Sequence, residues 1–213
     1  MDNTLFDFVR AKREACRCVV DHLGAGDADA LFRQFLRGVH GFEDHANIRD
    51  YLVDLGIYEE RTFEICCRTY DDVKLDRVEA YPGVEETLRR IQNAGIPLAV
   101  VTDAESLQAY RRLKKTGLID YFETVVTPDV SGRRKPEPDS LLYALRELDA
   151  VPARAMMVGD SLIRDIAPGR RLGMVTAFAA YGDWREGSPT GIEADITLAG
   201  FAELTAHLGI PDR

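Results

Sequence analysis

The chain has 213 residues, 46% of them hydrophobic and 30% charged, with 36 acidic against 27 basic side chains and a formal net charge of −9. That length supports one good-sized domain, or a core with a smaller insertion, without covalent staples. No run approaches the ~20 apolar residues of a membrane span, and an acidic chain has no long-range attraction for nucleic acid or an anionic membrane, so any anionic ligand must be held by local groups.

The opening residues, MDNTLFDF, set Asp2, Thr4 and Asp7 among apolar neighbours with no strand leading in. From about residue 8 to residue 77 apolar side chains recur every three or four positions, in FVRAKREACRCVVDHLGAG, DADALFRQFLRGVH, HANIRDYLVDLG and EERTFEICCRTYDDV, which predicts helices. Glycine and acidic residues at 24–27, 41–44 and 56 supply the breaks. Cys16, Cys18, Cys66 and Cys67 lie in this stretch as two tight pairs. C-x-C with an adjacent C-C is poor spacing for tetrahedral zinc, and with no secretion signal the expectation is reduced thiols in a cytoplasmic protein.

After EAYPGV the rhythm changes to short β-rich runs over 97–102, 123–127, 155–160, 174–180 and 194–198. Between them lie GVEETLRRIQNAG, ESLQAYRRLKKTG, DSLLYALRELDA and LIRDIAPGRRLG, each with helical periodicity. Unbroken apolar strands alternating with helices predict an α/β fold, a Rossmann-like doubly wound parallel sheet covered on both faces. The expected division is a core of residues 1–8 and 78–213 with a helical cap of residues 9–77 inserted. The two crossings, near 5–8 and 76–83, would form a hinge, and Pro82 blocks continuation of the preceding helix.

Ligands of such sheets bind outside the carboxyl ends of the strands. There the sequence delivers Thr102 after LAVVT, Lys135 in SGRRKPEPDS, and Asp160 and Asp165 in VGDSLIRD. Each type suits a phosphoryl ligand: a hydroxyl to donate to a phosphate oxygen, a compact ammonium to offset its charge, and hard carboxylate oxygens for Mg²⁺. Singly, these are a turn residue, a solvated charge and a helix cap; together, in this order, they make one candidate site.

In DNTLFD, LAVVT, RRKPEP and VGDSLIRD the chain resembles the haloacid dehalogenase superfamily, specifically its phosphatases with a helical cap after the first motif. The resemblance covers nearly the whole chain. In that family the first motif reads D-x-D-x-T-L after a central buried strand; its first aspartate attacks phosphorus and its second is general acid and base. Aligning DNTL places the second aspartate at Asp2, and the nucleophile and its strand upstream of Met1. A pump-like alignment, D-K-T-G-T, would make Asp2 the nucleophile, but it requires threonine where Phe6 stands.

The resemblance implies a Mg²⁺-dependent phosphomonoesterase acting on a small phosphorylated metabolite through an aspartyl-phosphate. Asp2 would be the acid/base, with its backbone carbonyl, Asp160 and Asp165 on the metal, and Thr102 and Lys135 on the phosphoryl oxygens. A 2-haloacid dehalogenase is disfavoured, because halide departure needs no proton from Asp2. A non-catalytic descendant binding phosphate or a partner is the third reading. Arg10, Arg13, His40, His45 and Arg68 are cap candidates for substrate selection, with solvated helix faces as the plainer expectation. Trp184 is either an entrance residue or a partly buried surface aromatic.

Overall fold

The computed structural model describes residues 1–184 and 191–211. The chain divides into two compact units, one of Met1–Asp7 with Glu79–Arg213 and one of Phe8–Val78.

The second unit is helical: α1 (Phe8–Leu23), α2 (Ala28–Leu36), α3 (Ala46–Asp54) and α4 (Glu60–Asp76). Its logic is that of amphipathic helices. α1 buries Phe8, Val9, Ala15, Cys16 and Val19 along one stripe and packs chiefly on α4, which turns Cys66, Cys67 and Tyr70 inward. α2 starts where Asp27 accepts a hydrogen bond from the Ala30 amide at 2.7 Å. It stops at Leu36, short of the predicted His40, because the chain turns through Gly38 at φ 69°.

A lysine lies on the buried stripe of α1. Lys12 is fully buried; its ammonium donates to the Phe42 carbonyl and lies 3.5 Å from the Phe42 ring centroid and 4.1 Å from that of Phe35. The rings hold the charge that water would otherwise hold. The cysteines are free thiols, and burial pushes Cys16 up to about 12 and Cys66 to about 11, so both stay protonated at neutral pH. Among the described residues no helix is long and apolar enough to cross a membrane.

The first unit carries the strands: β1 (Ala99–Val101), β2 (Thr124–Val126), β3 (Met156–Gly159), β4 (Val175–Ala179) and β5 (Ile196–Leu198). α5 (Val84–Asn93) precedes β1; α6 (Ser106–Lys115) links β1 to β2. The short α7 (Pro128–Ser131) and α8 (Asp139–Glu147) link β2 to β3, α9 (Ala167–Arg171) leads to β4, and α10 (Leu204–His207) closes the unit. All strand pairs are parallel, and the core includes Leu141, Leu145, Met157 and Met174.

Among the described residues, however, the strands form two half-sheets rather than one: β1 with β2, and β3–β4–β5. Where a continuous sheet would join β1 to β3 there is a cavity of about 490 Å³, walled by the apolar residues of those two strands and by side chains of α5, α8 and α10.

Residues 1–7 form a tight knot at one end of this space. Met1 O accepts from the amides of Thr4 (3.1 Å) and Leu5 (2.8 Å), and the Asn3 amide donates to Phe6 O at 2.8 Å. Asn3 takes φ 55°, a left-handed conformation that asparagine tolerates better than most side chains. Gly182 is required opposite: a Cβ there would lie 1.6 Å from Asn3 O. The Tyr181 hydroxyl donates to Thr4 O at 2.6 Å, and Phe6 is fully buried.

Candidate active site

The polar residues of the first unit gather where its strands end. Thr102 follows β1 and is 4% exposed; its amide donates to Val126 O at 3.0 Å, and its hydroxyl oxygen accepts from the Ala104 amide at 3.2 Å. The acceptor side of that hydroxyl is thus satisfied within the turn, and its proton can be donated outward.

Lys135 reaches the same place from the loop before α8. Its Nζ donates to Val101 O at 3.2 Å and to Asp165 Oδ1 at 2.6 Å, and its amide donates to Asp103 Oδ1 at 2.9 Å. Two of the three ammonium protons therefore have named acceptors, and the third remains to bind an anion. The pair is buried, with side chains 8% and 5% exposed. Burial alone would drag the lysine down, but Asp165 and Asp103 outweigh it and hold the ammonium above its ordinary pKa. Burial alone would likewise raise Asp165, and Lys135 outweighs it in turn, holding that carboxyl below the ordinary range.

Asp165 owes its position to a wide helical turn over Leu162–Ile166, opened by Ser161, whose hydroxyl accepts from the Arg164 amide. Asp165 Oδ2 accepts from the Ser161 amide at 3.0 Å. The carboxylate folds back onto Gly159, where a Cβ would lie 2.4 Å from its Cγ, so only glycine ending β3 admits it. Asp160, the next residue, is 5% exposed, with Thr4 Oγ1 3.5 Å from its Oδ1.

Asp2 belongs to the same end of the unit, but its carboxylate turns to α6. Arg112 Nη1 donates to Asp2 Oδ2 at 2.8 Å, and Asp2 Oδ1 is buried with no hydrogen-bond partner. The α-ammonium of Met1 lies within electrostatic reach of Lys135, Asp2, Asp165 and Asp160 and is pushed below its ordinary pKa, first by burial and then by Lys135. Lys135 thus bridges Asp165 and Val101, the residue before Thr102, where β3 and β1 end. Asp2, Asp160 and Asp165 are not drawn into a three-carboxylate centre: among the described residues no group of three or more His, Cys, Asp or Glu side chains could hold a metal ion.

Three further residues support the site: Arg112, Asp103 and Ser161. Arg112 stands on the apolar face of α6 beside buried Ala109 and Leu113, and that placement was its readable signal. Asp103 and Ser161, which position Lys135 and Asp165, look in sequence like ordinary turn and cap residues. In the helical unit the selection candidates have partners of their own: Arg13 with Asp29 at 2.9 Å, His40 with Asp50 at 3.0 Å and His45 with Asp71 at 2.9 Å. Arg10 and Arg68 are exposed, and Trp184 is half-buried.

Residues 1–179 match the family of haloacid dehalogenase-like hydrolases. The chain belongs to that family. Glyceraldehyde 3-phosphate phosphatase of Pyrococcus furiosus is 27% identical over 194 residues, 87% of this chain and 80% of the relative. The plasmid phosphoglycolate phosphatase of Cupriavidus necator is 33% identical over 141 residues, 66% of this chain and 61% of the relative. The magnesium-bound crystal structure of Bacillus subtilis YfnB superposes with a TM-score of 0.77 at 21% identity, covering 99% of this chain and 96% of that one. The last similarity is one of fold. This haloacid dehalogenase-like chain is accordingly a hydrolase with a Rossmann-like α/β core.

Proposed function

We propose that the protein hydrolyses a small phosphorylated metabolite at its phosphomonoester bond. The observation that carries this reading is the buried Lys135 beside Thr102 at the carboxyl end of β1, with Asp165 fixing the ammonium. An ammonium and a hydroxyl donor, largely withdrawn from water, suit the equatorial oxygens of a phosphoryl group. The relatives' names, which specify two- and three-carbon phosphates, support a small substrate.

In this reading an aspartate carboxylate of the D-x-D-x-T-L motif is the nucleophile and Asp2 is its acid/base partner. A carboxylate oxygen forms the new bond to phosphorus, the ester P–O bond breaks, and Asp2 delivers its proton to the departing alkoxide. In the second step Asp2 takes a proton from water as the oxygen of that water bonds to phosphorus. The aspartyl P–O bond breaks, releasing phosphate and restoring the nucleophile as carboxylate and Asp2 as the protonated acid. Arg112 holds Oδ2 of Asp2, so the unpartnered Oδ1 is the oxygen that carries the proton.

The donor chemistry fits Mg²⁺, which takes one or two protein carboxylates and completes its shell with water and phosphate oxygens. Asp160 would hold it, with Asp165 positioned behind by Lys135 and the Ser161 amide. When bound, the ion offsets the charge shared by nucleophile and phosphate. We assign the helical insertion, Phe8–Val78, to substrate selection.

The test is release of phosphate from p-nitrophenyl phosphate by the full-length protein, with and without Mg²⁺. Magnesium-dependent turnover that Asp160→Asn lowers at least 100-fold supports the reading. Phosphate binding without turnover, or chloride release from 2-chloropropionate, refutes it in favour of a binding protein or a dehalogenase.

A further inference from the structure

We propose that Cys67 of the helical unit is a modification site, a thiol activated by His45 and Asp71 and oxidised to a sulfenic acid by hydroperoxides. All three residues belong to the unit Phe8–Val78, and the inference does not depend on the phosphatase reading.

The helix sets up the first half of the arrangement. Cys67 and Asp71 are four residues apart on α4, so their side chains leave the same face one turn apart. His45, at the start of α3, reaches that face: its Nε2 lies 2.9 Å from Asp71 Oδ2, and its ring also hydrogen-bonds Cys67. A cationic imidazole carries two N–H donors, so one can serve the carboxylate and the other the sulfur. A nucleophile, a base and a carboxylate that orients the base form the arrangement by which weak nucleophiles are activated.

The surrounding charges keep the ring cationic. Its hydrogen bonds to Asp71, chiefly, and to Cys67 outweigh burial and raise His45 to about 10. Lys74 Nζ lies 3.0 Å from Asp71 Oδ1, 3.3 Å from Glu43 Oε2 and 4.6 Å from the centroid of the Tyr70 ring, which meets His45 edge-on. His45 and Lys74 thus balance Asp71 and Glu43, and the sulfur faces a fixed cation throughout the neutral range. A cation in that place favours the nucleophilic thiolate. A metal does not suit the cluster, since among the described residues no group of three or more His, Cys, Asp or Glu side chains could hold one.

Access separates Cys67 from its buried neighbours. Cys16 and Cys66 are 0% exposed, whereas Cys67 keeps 9% beside a His45 side chain that is 39% exposed. The opening suits a reagent as small as hydrogen peroxide. The Cys67 thiol gives its proton to water, and the thiolate sulfur attacks one peroxide oxygen. The S–O bond forms, the O–O bond breaks, and the departing hydroxide takes a proton from the His45 imidazolium to leave as water. Sulfur is oxidised by two electrons, the peroxide is reduced by two, and His45 regains its proton from solvent.

The test treats the full chain with iodoacetamide and, separately, with hydrogen peroxide and dimedone, reading each cysteine by peptide mass spectrometry. Cys18, less buried than Cys67, is the internal comparison, because it would react first if exposure alone governed the rate. At pH 6.5 Cys67 is expected to be alkylated at least tenfold faster than Cys18 and to carry the dimedone adduct. His45→Gln is expected to lower the Cys67 rate at least tenfold and abolish the adduct while Cys18 is unchanged, with unlabelled Cys16 and Cys66 showing that the variant is folded. Asp71→Asn, which keeps both sulfur and ring, is expected to lower the Cys67 rate at least threefold and tests the same point should His45→Gln unfold. Cys18 reacting as fast as Cys67, a Cys67 rate unmoved in the folded variants, or no dimedone on Cys67 overturns the proposal.

Discussion

Gly159→Ala is the sharpest probe of how the site is built. A methyl at residue 159 would lie 2.4 Å from both Cγ and Oδ2 of Asp165 and 2.5 Å from its Cβ, distances no Cβ contact sustains. Asp165 cannot swing aside cheaply, being 3% exposed and tied to Lys135 Nζ at 2.6 Å and the Ser161 amide at 3.0 Å. If the carboxylate yields, a buried ammonium loses its partner, at a cost of about 3–5 kcal/mol. If the backbone shifts instead, overpacking costs about 1–3 kcal/mol. The expected loss is therefore about 3 kcal/mol, and for a chain of 213 residues a fall in Tm of roughly 6–12 °C. Gly200→Ala is the control: nothing lies within 4 Å of its Cβ position and its φ is an extended −164°, so its effect should stay within about 0.5 kcal/mol. Urea denaturation of both variants decides the matter. A Gly159→Ala loss below about 1 kcal/mol, or one matching Gly200→Ala, would refute the packing of Asp165 on β3.

Lys135→Met should cost about 3–5 kcal/mol at pH 7 by stranding Asp165. The gap from wild type should narrow as pH falls through the carboxylate range. Asp165, depressed in the fold, contributes stability above the unfolded carboxyl pKa of about 3.9 that is lost on acidification. Arg112→Met should lower stability by about 1–3 kcal/mol and kcat more than KM, read by denaturation and steady-state kinetics. His45 is raised to about 10, chiefly by its hydrogen bond to Asp71, so its contribution is full below about 6.5 and fades as pH rises toward 10. With the ring 39% exposed, screening leaves about 1 kcal/mol. Unfolding of His45→Ala should therefore differ from wild type more at pH 6 than at pH 10.

Periodicity made most of this architecture readable, because each element buries one stripe or two faces. The runs at 97–102, 123–127 and 155–160 became β1, β2 and β3, each shorter by one or two residues at either end. LIRDIAPGRRLG read as one helix but divides at Ile166, since Asp165 must face Gly159 and the chain widens to let it. The meeting of Lys135 with Asp165 and with Val101, the residue before Thr102, has its sequence signal in a loop between β2 and β3 and in polar residues placed just after β1 and β3. Arg112 was not, since charge on a buried helical stripe has meaning only once the carboxylate opposite is known. The single predicted sheet is divided into two half-sheets here because β1 and β3 have no strand between them among the described residues.

The central claim is that the strand ends of the first unit hold a phosphoryl group. A crystal structure of the protein with tungstate, a tetrahedral phosphate mimic, tests it most directly. The anion is expected within about 3 Å of both Thr102 Oγ1 and Lys135 Nζ, the reach of a charge-assisted hydrogen bond. Tungstate bound elsewhere, with both of these donors bare, would contradict it.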